Sequence, residues 1–213
     1  MIVLVDLDNT LVDRELAFST WARHFVEEIG ADPADLDWLL AADGDGYTPR
    51  AQLAVAIKKR WRLGTGVPDL VRRLLFDHVQ YIQTYPGVPA ALRALTTAGV
   101  TLVVLSNGTI AQQGRKLDHT GLTELIDDAV ISEAVGSKKP DPLIFGAALE
   151  AAGRSGGRGP AWMIGDHPVA DIAGAKNRGL LTGWVSHDRA WTTGEPADIA
   201  GPATVDVLGR ITP

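Results

Sequence analysis

Residues 2–10 read IVLVDLDNT, an apolar run that ends in two aspartates, Asp6 and Asp8. A short continuous apolar run is typical of a strand that is buried on both faces of a parallel sheet. Two carboxylates one residue apart at the carboxyl end of such a strand can place one acid on a reacting atom and leave the other beside it as a proton carrier. The stretch therefore predicts a catalytic edge on an α/β fold.

From Tyr85 onward, helical and strand patterns alternate along the chain. The expected strands are 100–105, 129–131, 161–164 and 181–185, with helices between them. Such alternation predicts a Rossmann-like parallel sheet with helices on both faces and right-handed crossovers. In sheets of this kind, ligands bind beyond the carboxyl ends of the strands. The tail beyond Asp188 is expected to close the core with a short edge element.

Residues 14–83 show helical periodicity without a convincing strand. We therefore expect an α/β core domain formed by 1–13 and 84–213, into which an all-helical cap subdomain, 14–83, is inserted. Its tryptophans, among them Trp21 and Trp61, are expected to pack the interior of that subdomain.

The composition excludes several functional classes. The chain has 213 residues and no cysteine, which excludes disulfides, thiolate nucleophiles and cysteine-ligated zinc. A formal charge of −6 argues against a nucleic-acid partner, which would need a basic face. No stretch approaches the roughly 20 apolar residues that span a bilayer, and a strand that begins at residue 2 leaves no room for a secretory signal before it. The expectation is a cytoplasmic protein without a membrane or nucleic-acid partner; no pattern indicates an oligomeric state.

Polar residues follow other predicted strands as well. Ser106-Asn107-Gly108 follows the second strand, Asp166 follows the fourth with Asp171 five residues later, and Lys139 lies in the loop after the third. Because the carboxyl ends of parallel strands meet at one edge of a sheet, these side chains are expected to converge with the two aspartates.

Four motifs in this order give the chain a clear resemblance to the haloacid dehalogenase-like hydrolase superfamily. DLDNT resembles its first motif, LSNG the second, the lysine of GSKKPDP the third, and IGDHPVADIAGA the fourth. The resemblance spans about residues 1–185. The helical insertion between the first two motifs resembles the cap that closes over the active site in one branch of the superfamily.

The residues fit chemistry on a phosphate ester, whose double negative charge repels an attacking aspartate unless cations neutralise it. Mg²⁺ suits this task, since it prefers oxygen ligands and combines one or two carboxylates with substrate phosphate. Asp6 and Asp166 can supply those carboxylates. The resemblance implies that the backbone carbonyl of Asp8 is a third protein ligand.

The remaining motif residues would hold the phosphoryl group. Lys139 would add positive charge beside the nucleophile, and the Ser106 hydroxyl with the amides around Asn107 and Gly108 would bind phosphoryl oxygens at the start of a helix. By resemblance, Asp171 contacts the lysine or metal-bound water and is not itself bonded to the metal.

The inferred activity is that of a Mg²⁺-dependent phosphatase for a small phosphorylated metabolite. Asp6 would attack phosphorus to form an aspartyl-phosphate, water would then hydrolyse it, and Asp8 would act as general acid and base. A phosphomutase, a metal-independent 2-haloacid dehalogenase and a non-catalytic phospho-receiver module are alternatives. In dehalogenase relatives the residue matching Asp8 is not an acid, which speaks against that activity. Sugar phosphates, nucleoside monophosphates and phosphoglycolate-like acids remain open as substrates.

A few further residues are candidates for contact with the substrate. Arg14, Tyr47 and Arg50 lie on or near loops of the helical segment, and His167 directly follows Asp166. The histidines show no metal-ligand spacing, so packing or surface roles are favoured for the others.

Overall fold

The computed structural model describes residues 1–211, and in this part of the chain six strands form one sheet. The strands are β1 (Ile2–Val5), β2 (Thr101–Ser106), β3 (Asp128–Ile131), β4 (Ala161–Gly165), β5 (Leu181–Val185) and β6 (Ile199–Gly201). They lie in the order β3-β2-β1-β4-β5-β6, and each neighbouring pair is parallel. The predicted fold class, a Rossmann-like parallel sheet with helices around it, is confirmed.

Ten α-helices accompany the sheet within residues 1–211. They are α1 (Arg14–Glu28), α2 (Asp35–Asp43), α3 (Arg50–Trp61), α4 (Val67–Phe76), α5 (Val88–Thr97), α6 (Ile110–Thr120), α7 (Ser132–Val135), α8 (Pro142–Arg154), α9 (Gly174–Lys176) and α10 (Thr204–Leu208). Short 3₁₀ turns cover 44–46, 77–81 and 122–125, and a π-helical turn covers 168–173.

β1 occupies the middle of the sheet because its apolar side chains can be buried on both faces. Val5 pairs with Val104 of β2 on one side and with Ile164 of β4 on the other. All four residues of β1 are buried. On one face, Ile144 and Phe145 of α8 belong to the same buried cluster as residues of β1 and β2. This packing fixes the strand whose end carries Asp6.

The chain divides into two compact units, one formed by 1–13 with 84–213 and the other by 14–83. The first unit contains the sheet and α5 to α10. The second contains α1 to α4 and two of the 3₁₀ turns, and it has its own aromatic and aliphatic core. Trp21 is buried in that core, and Trp61 packs against it.

Two details differ from the expectations. β2 extends one residue beyond the predicted end, so Ser106 is the last residue of the strand. The helix expected from Val169 begins as a π-helical turn at Pro168, where the His167 ring nitrogen accepts hydrogen bonds from the N–H groups of Val169 and Ala170. The expected edge element in the tail is β6, which is followed by α10.

Candidate active site

The first unit brings a lysine and two aspartates from separate loops into one ion-paired group. Lys139 Nζ lies 2.6 Å from Asp6 Oδ1 and 2.7 Å from Asp171 Oδ1. All three residues are buried, and Lys139 is 4% exposed. Burial disfavours the ammonium, but the charges of Asp171 and Asp6 outweigh this effect and raise the pKa of Lys139. Lys139 therefore stays cationic and neutralises part of a crowded acidic site.

Asp166 lies at the same edge, directly after β4. Its Oδ2 accepts a hydrogen bond of 3.1 Å from Arg189, which also donates to the Asp166 backbone carbonyl. That carbonyl accepts a further hydrogen bond from the indole N–H of Trp184 in β5. The loop after β4 is thus held in place by the side chains of Trp184 and Arg189.

The carboxylates of Asp6, Asp166 and Asp171 form a group that could hold a metal ion, because one oxygen from each lies within 4.8 Å of the others. Burial raises the pKa of Asp6 to about 7, although Lys139 opposes the shift. Burial, together with the charges of Asp171 and Asp6, raises the pKa of Asp166 to about 8.

The donor set suits a divalent cation. Three carboxylates face two protein cations, Lys139 and Arg189, so the group has one negative charge in excess when fully ionised. Burial first, and the neighbouring carboxylates after it, raise the pKa values of Asp6 and Asp166. An oxygen-preferring cation such as Mg²⁺ would offset both effects.

Gly165 and Asp171 explain the local shape of this loop. A side chain at Gly165 would collide with the Asp171 carboxyl group, so only glycine lets the two approach this closely. Asp171 Oδ2 accepts a hydrogen bond of 2.9 Å from the backbone N–H of His167. The π-helical turn therefore aims its aspartate back at the end of β4.

Asp8 is bound by residues of α6. Lys116 Nζ lies 2.7 Å from each of its carboxylate oxygens, and the Gln113 side-chain amide donates to Oδ2 at 3.0 Å. The Asp8 side chain is 26% exposed, whereas that of Lys116 is 2% exposed. The Asp8 carboxylate is therefore held from one side and open to solvent on the other.

The residues of the second motif are held by several hydrogen bonds. Ser106 Oγ accepts a hydrogen bond of 2.6 Å from Gln113. The Asn107 side chain binds the backbone of Lys139 twice, accepting from its N–H at 2.8 Å and donating to its carbonyl at 3.1 Å. The Gly108 N–H donates to the Ser132 hydroxyl. Asn107 thus fixes the loop that carries the lysine, and any contact it makes with phosphate would come from its backbone N–H.

The remaining candidate residues have other contacts. His167 caps the π-helical turn, which is a structural role. In the helical unit, Arg14 and Arg50 both pair with the buried Asp43, at 2.6 and 2.5 Å, and Tyr47 is 60% exposed. These contacts make Arg14 and Arg50 part of the internal structure of that unit.

Lys116, Gln113 and Arg189 were not predicted from the sequence. A signal was present in α6, where the buried positions are Gln112, Gln113, Lys116 and Leu117. Polar residues therefore occupy most of the inward face of this helix, where apolar residues are expected. Arg189 lies in an irregular segment and gives no comparable signal.

The chain thus combines a Rossmann-like α/β fold with a group of charged residues at the carboxyl edge of its parallel sheet. The chain belongs to the haloacid dehalogenase-like hydrolase family, whose model matches residues 1–179.

Among curated proteins, the chain is 39% identical to pyrimidine 5'-nucleotidase YjjG of Escherichia coli over 127 residues, which cover 59% of this chain and only 54% of that protein. It is 31% identical to ribulose-1,5-bisphosphate 5-phosphatase of Halopiger xanaduensis over 237 aligned positions, which cover 99% and 97% of the two chains. The family match and the phosphatase-named relatives support a phosphoric monoester hydrolase.

Among solved structures, the fold resembles that of a phosphatase of this family from Thermococcus onnurineus, with a TM-score of 0.70 and 22% identity over 98% of this chain and 96% of that one. None of the helices within residues 1–211 combines the length and the apolar character needed to cross a bilayer.

Proposed function

We propose that this chain is a Mg²⁺-dependent phosphatase that hydrolyses a small phosphomonoester through an aspartyl-phosphate on Asp6. The observation that carries the proposal is the convergence of the Asp6, Asp166 and Asp171 carboxylates with the Lys139 ammonium at the carboxyl edge of the sheet. An aspartate can attack a phosphate dianion only where positive charge offsets the repulsion. This site provides the Lys139 ammonium beside Asp6 and carboxylate ligands for a metal cation.

The metal ion would be held by the carboxylates of Asp6 and Asp166, with Asp171 within reach. The resemblance to the family implies the backbone carbonyl of Asp8 as a further oxygen ligand. When bound, Mg²⁺ supplies positive charge against the phosphoryl oxygens. Lys139 would add a second positive charge to the phosphoryl site while keeping its contact with Asp171.

In the first chemical step, a carboxylate oxygen of Asp6 forms a bond to phosphorus while the bond to the ester oxygen breaks. Asp8 gives its proton to that departing oxygen, so that an alcohol is released. In the second step, water attacks phosphorus, the bond to Asp6 breaks, and Asp8 takes the proton from water. The products are an alcohol and inorganic phosphate, and both aspartates return to their starting states.

The Ser106 hydroxyl and the backbone N–H of Asn107 would bind the phosphoryl oxygens that Lys139 and the metal ion leave free, since the Gly108 N–H already donates to Ser132. The support is their position at the end of β2 and the start of α6, where an N-terminal turn favours anions. We assign the helical unit 14–83 the role of a cap that excludes water during the reaction and selects the substrate.

A small phosphorylated metabolite is the substrate class that the relatives support. One relative is named for a pyrimidine nucleotide and the other for ribulose 1,5-bisphosphate, and both names describe phosphatase reactions on small molecules. A dehalogenase reaction has less support, because it gives no role to the acid at position 8, which α6 holds with several hydrogen bonds. Membership of a hydrolase family also weighs against a receiver module.

The direct test is a phosphate-release screen over sugar phosphates, nucleoside monophosphates and phosphoglycolate. Each compound is assayed with Mg²⁺ and with a chelator, and isomerised sugar phosphate is measured in the same samples. We expect Mg²⁺-dependent release of inorganic phosphate from at least one compound. Isomerisation without net release would indicate a mutase, and halide release from a 2-haloacid in the presence of chelator would indicate a dehalogenase.

The main effect of Asp166→Ala should be weaker Mg²⁺ binding, because the substitution removes one of three carboxylates from the proposed metal site. We expect at least a tenfold rise in the Mg²⁺ concentration that gives half-maximal activity. In the wild type, Mg²⁺ at about 100 times its Kd should add about 2.7 kcal/mol of stability, and this gain should largely disappear in the variant.

Thermal unfolding with increasing Mg²⁺ measures the second effect without substrate. Glu150→Ala is the matched control, since it removes an exposed carboxylate from α8. An unchanged Mg²⁺ response in Asp166→Ala would exclude Asp166 as a ligand.

A further inference from the structure

The inward face of α6 carries two buried polar side chains whose contacts lead to Asp8. Gln113 is 0% exposed and Lys116 is 2% exposed. The two residues are three positions apart, so they lie on the same face of the helix. A buried ammonium is costly unless it is paired, and well-packed apolar residues can often replace a buried ion pair without loss of stability. Packing alone therefore does not account for a lysine at this position.

The contacts fix the orientation of a single carboxylate. Lys116 binds both oxygens of Asp8 at 2.7 Å, and Gln113 binds one of them at 3.0 Å. The Gln113 amide also binds Ser106 Oγ at 2.6 Å. Gln113 thereby connects Asp8 to the serine proposed to bind phosphate, so the two groups keep a fixed separation.

We propose that Lys116 and Gln113 are positioning residues that hold the Asp8 carboxyl group where it can exchange a proton with the leaving oxygen of the ester. The proposal rests on the proposed phosphatase function. Neither residue touches the reacting atoms; both act through Asp8. A misplacement of about 1 Å in a reacting group can cost about a hundredfold in rate, and general acid–base catalysis itself contributes about 10²- to 10⁴-fold.

The leaving group provides the discriminating test. An alkoxide needs the proton from Asp8 to depart, whereas p-nitrophenolate is a stable anion that departs with little help. We expect Lys116→Met to lower kcat/KM for an alkyl phosphate by about a hundredfold. For p-nitrophenyl phosphate, the fold loss in kcat/KM should be at least ten times smaller. Lys116→Arg, which keeps a cation able to bind both carboxylate oxygens, should recover part of the loss.

Arg115→Met is the matched control, because Arg115 lies on the exposed side of the same helix. Its kcat/KM values should equal those of the wild type for both esters. Circular dichroism and thermal unfolding establish that each variant is folded. If Lys116→Met does not fold, Gln113→Met is measured instead, and the same dependence on the leaving group is expected.

A double-mutant cycle gives a second, independent readout on the alkyl ester. If Lys116 acts only through Asp8, adding Lys116→Met to Asp8→Asn should produce no further loss of kcat/KM. Equal losses on both esters, or additive losses in the double variant, would overturn the proposal. If the wild type hydrolyses neither ester, the phosphatase function itself fails, which is a different outcome from an active wild type with equal losses.

Discussion

Asp6→Asn is expected to abolish turnover of every phosphomonoester that the wild type hydrolyses, with a loss of at least about 10³-fold in kcat. An amide nitrogen and oxygen occupy nearly the same space as the carboxylate, but the amide is a far weaker nucleophile toward phosphorus. The effect should be the same for alkyl and aryl esters, since the attack on phosphorus is common to both. Steady-state phosphate release measures it.

The same variant should keep its fold. Burial raises the pKa of Asp6 to about 7, so the native site holds this carboxylate at a cost, and a neutral group relieves the crowding with Asp171. Lys139 still has Asp171 as its partner. We expect a free energy of unfolding within about 1 kcal/mol of the wild type.

Asp118→Asn, a change of an exposed aspartate on α6, is the control for the Asp6 substitution and should retain activity. Intact-mass measurement after acid quench adds a test of the intermediate, because a covalent phosphoryl group should be found on the wild type and not on Asp6→Asn. Residual turnover near the wild-type rate would exclude Asp6 as the nucleophile.

Lys139→Met is expected to damage both stability and activity. The substitution removes the ammonium that lies 2.6 Å from Asp6 and 2.7 Å from Asp171, and it leaves two buried carboxylates without that partner. Breaking a buried ion pair by removing one member costs about 3–5 kcal/mol. The loss of a positive charge from the phosphoryl site should lower kcat by about 10²- to 10³-fold.

Urea unfolding with and without Mg²⁺ separates the two effects of the lysine. We expect Mg²⁺ to recover part of the lost stability, because it brings positive charge to the same carboxylates, but not the activity. Lys138→Met is a close control, since this neighbouring lysine is exposed. If Lys139→Met and Lys138→Met have the same free energy of unfolding, the pairing of Lys139 with Asp6 and Asp171 contributes little to stability.

Much of the fold was predictable because each strand of a parallel sheet is a local apolar signal. The predicted bounds of β1 to β5 lie within one residue of the observed ends, since short and mainly apolar segments alternate with helical patterns along the chain. The π-helical turn at 168–173 was not predictable, because it depends on the His167 ring and the approach of Asp171 to Gly165. Those contacts are set by tertiary structure.

The convergence of side chains at the candidate site was predictable where a polar residue ends or directly follows a strand. Asp6, Ser106 and Asp166 have such positions, and the parallel topology brings them to one edge. The residues that hold them were missed, because the scarcity of apolar residues in α6 indicates an unusual inward face without showing that Lys116 and Gln113 are the side chains that occupy it. Arg189 lies beyond the last predicted strand, where only tertiary structure brings it to Asp166.

The double hydrogen bond between the Asn107 side chain and the Lys139 backbone couples two segments that are distant in sequence. If one of these loops is replaced by that of a homologue, the Asn107 side chain loses the Lys139 peptide group to which it binds. The Lys139 ammonium would then move away from its carboxylate partners. Loop grafts and combinatorial libraries at this edge of the sheet should therefore exchange or vary positions 107 and 139 together.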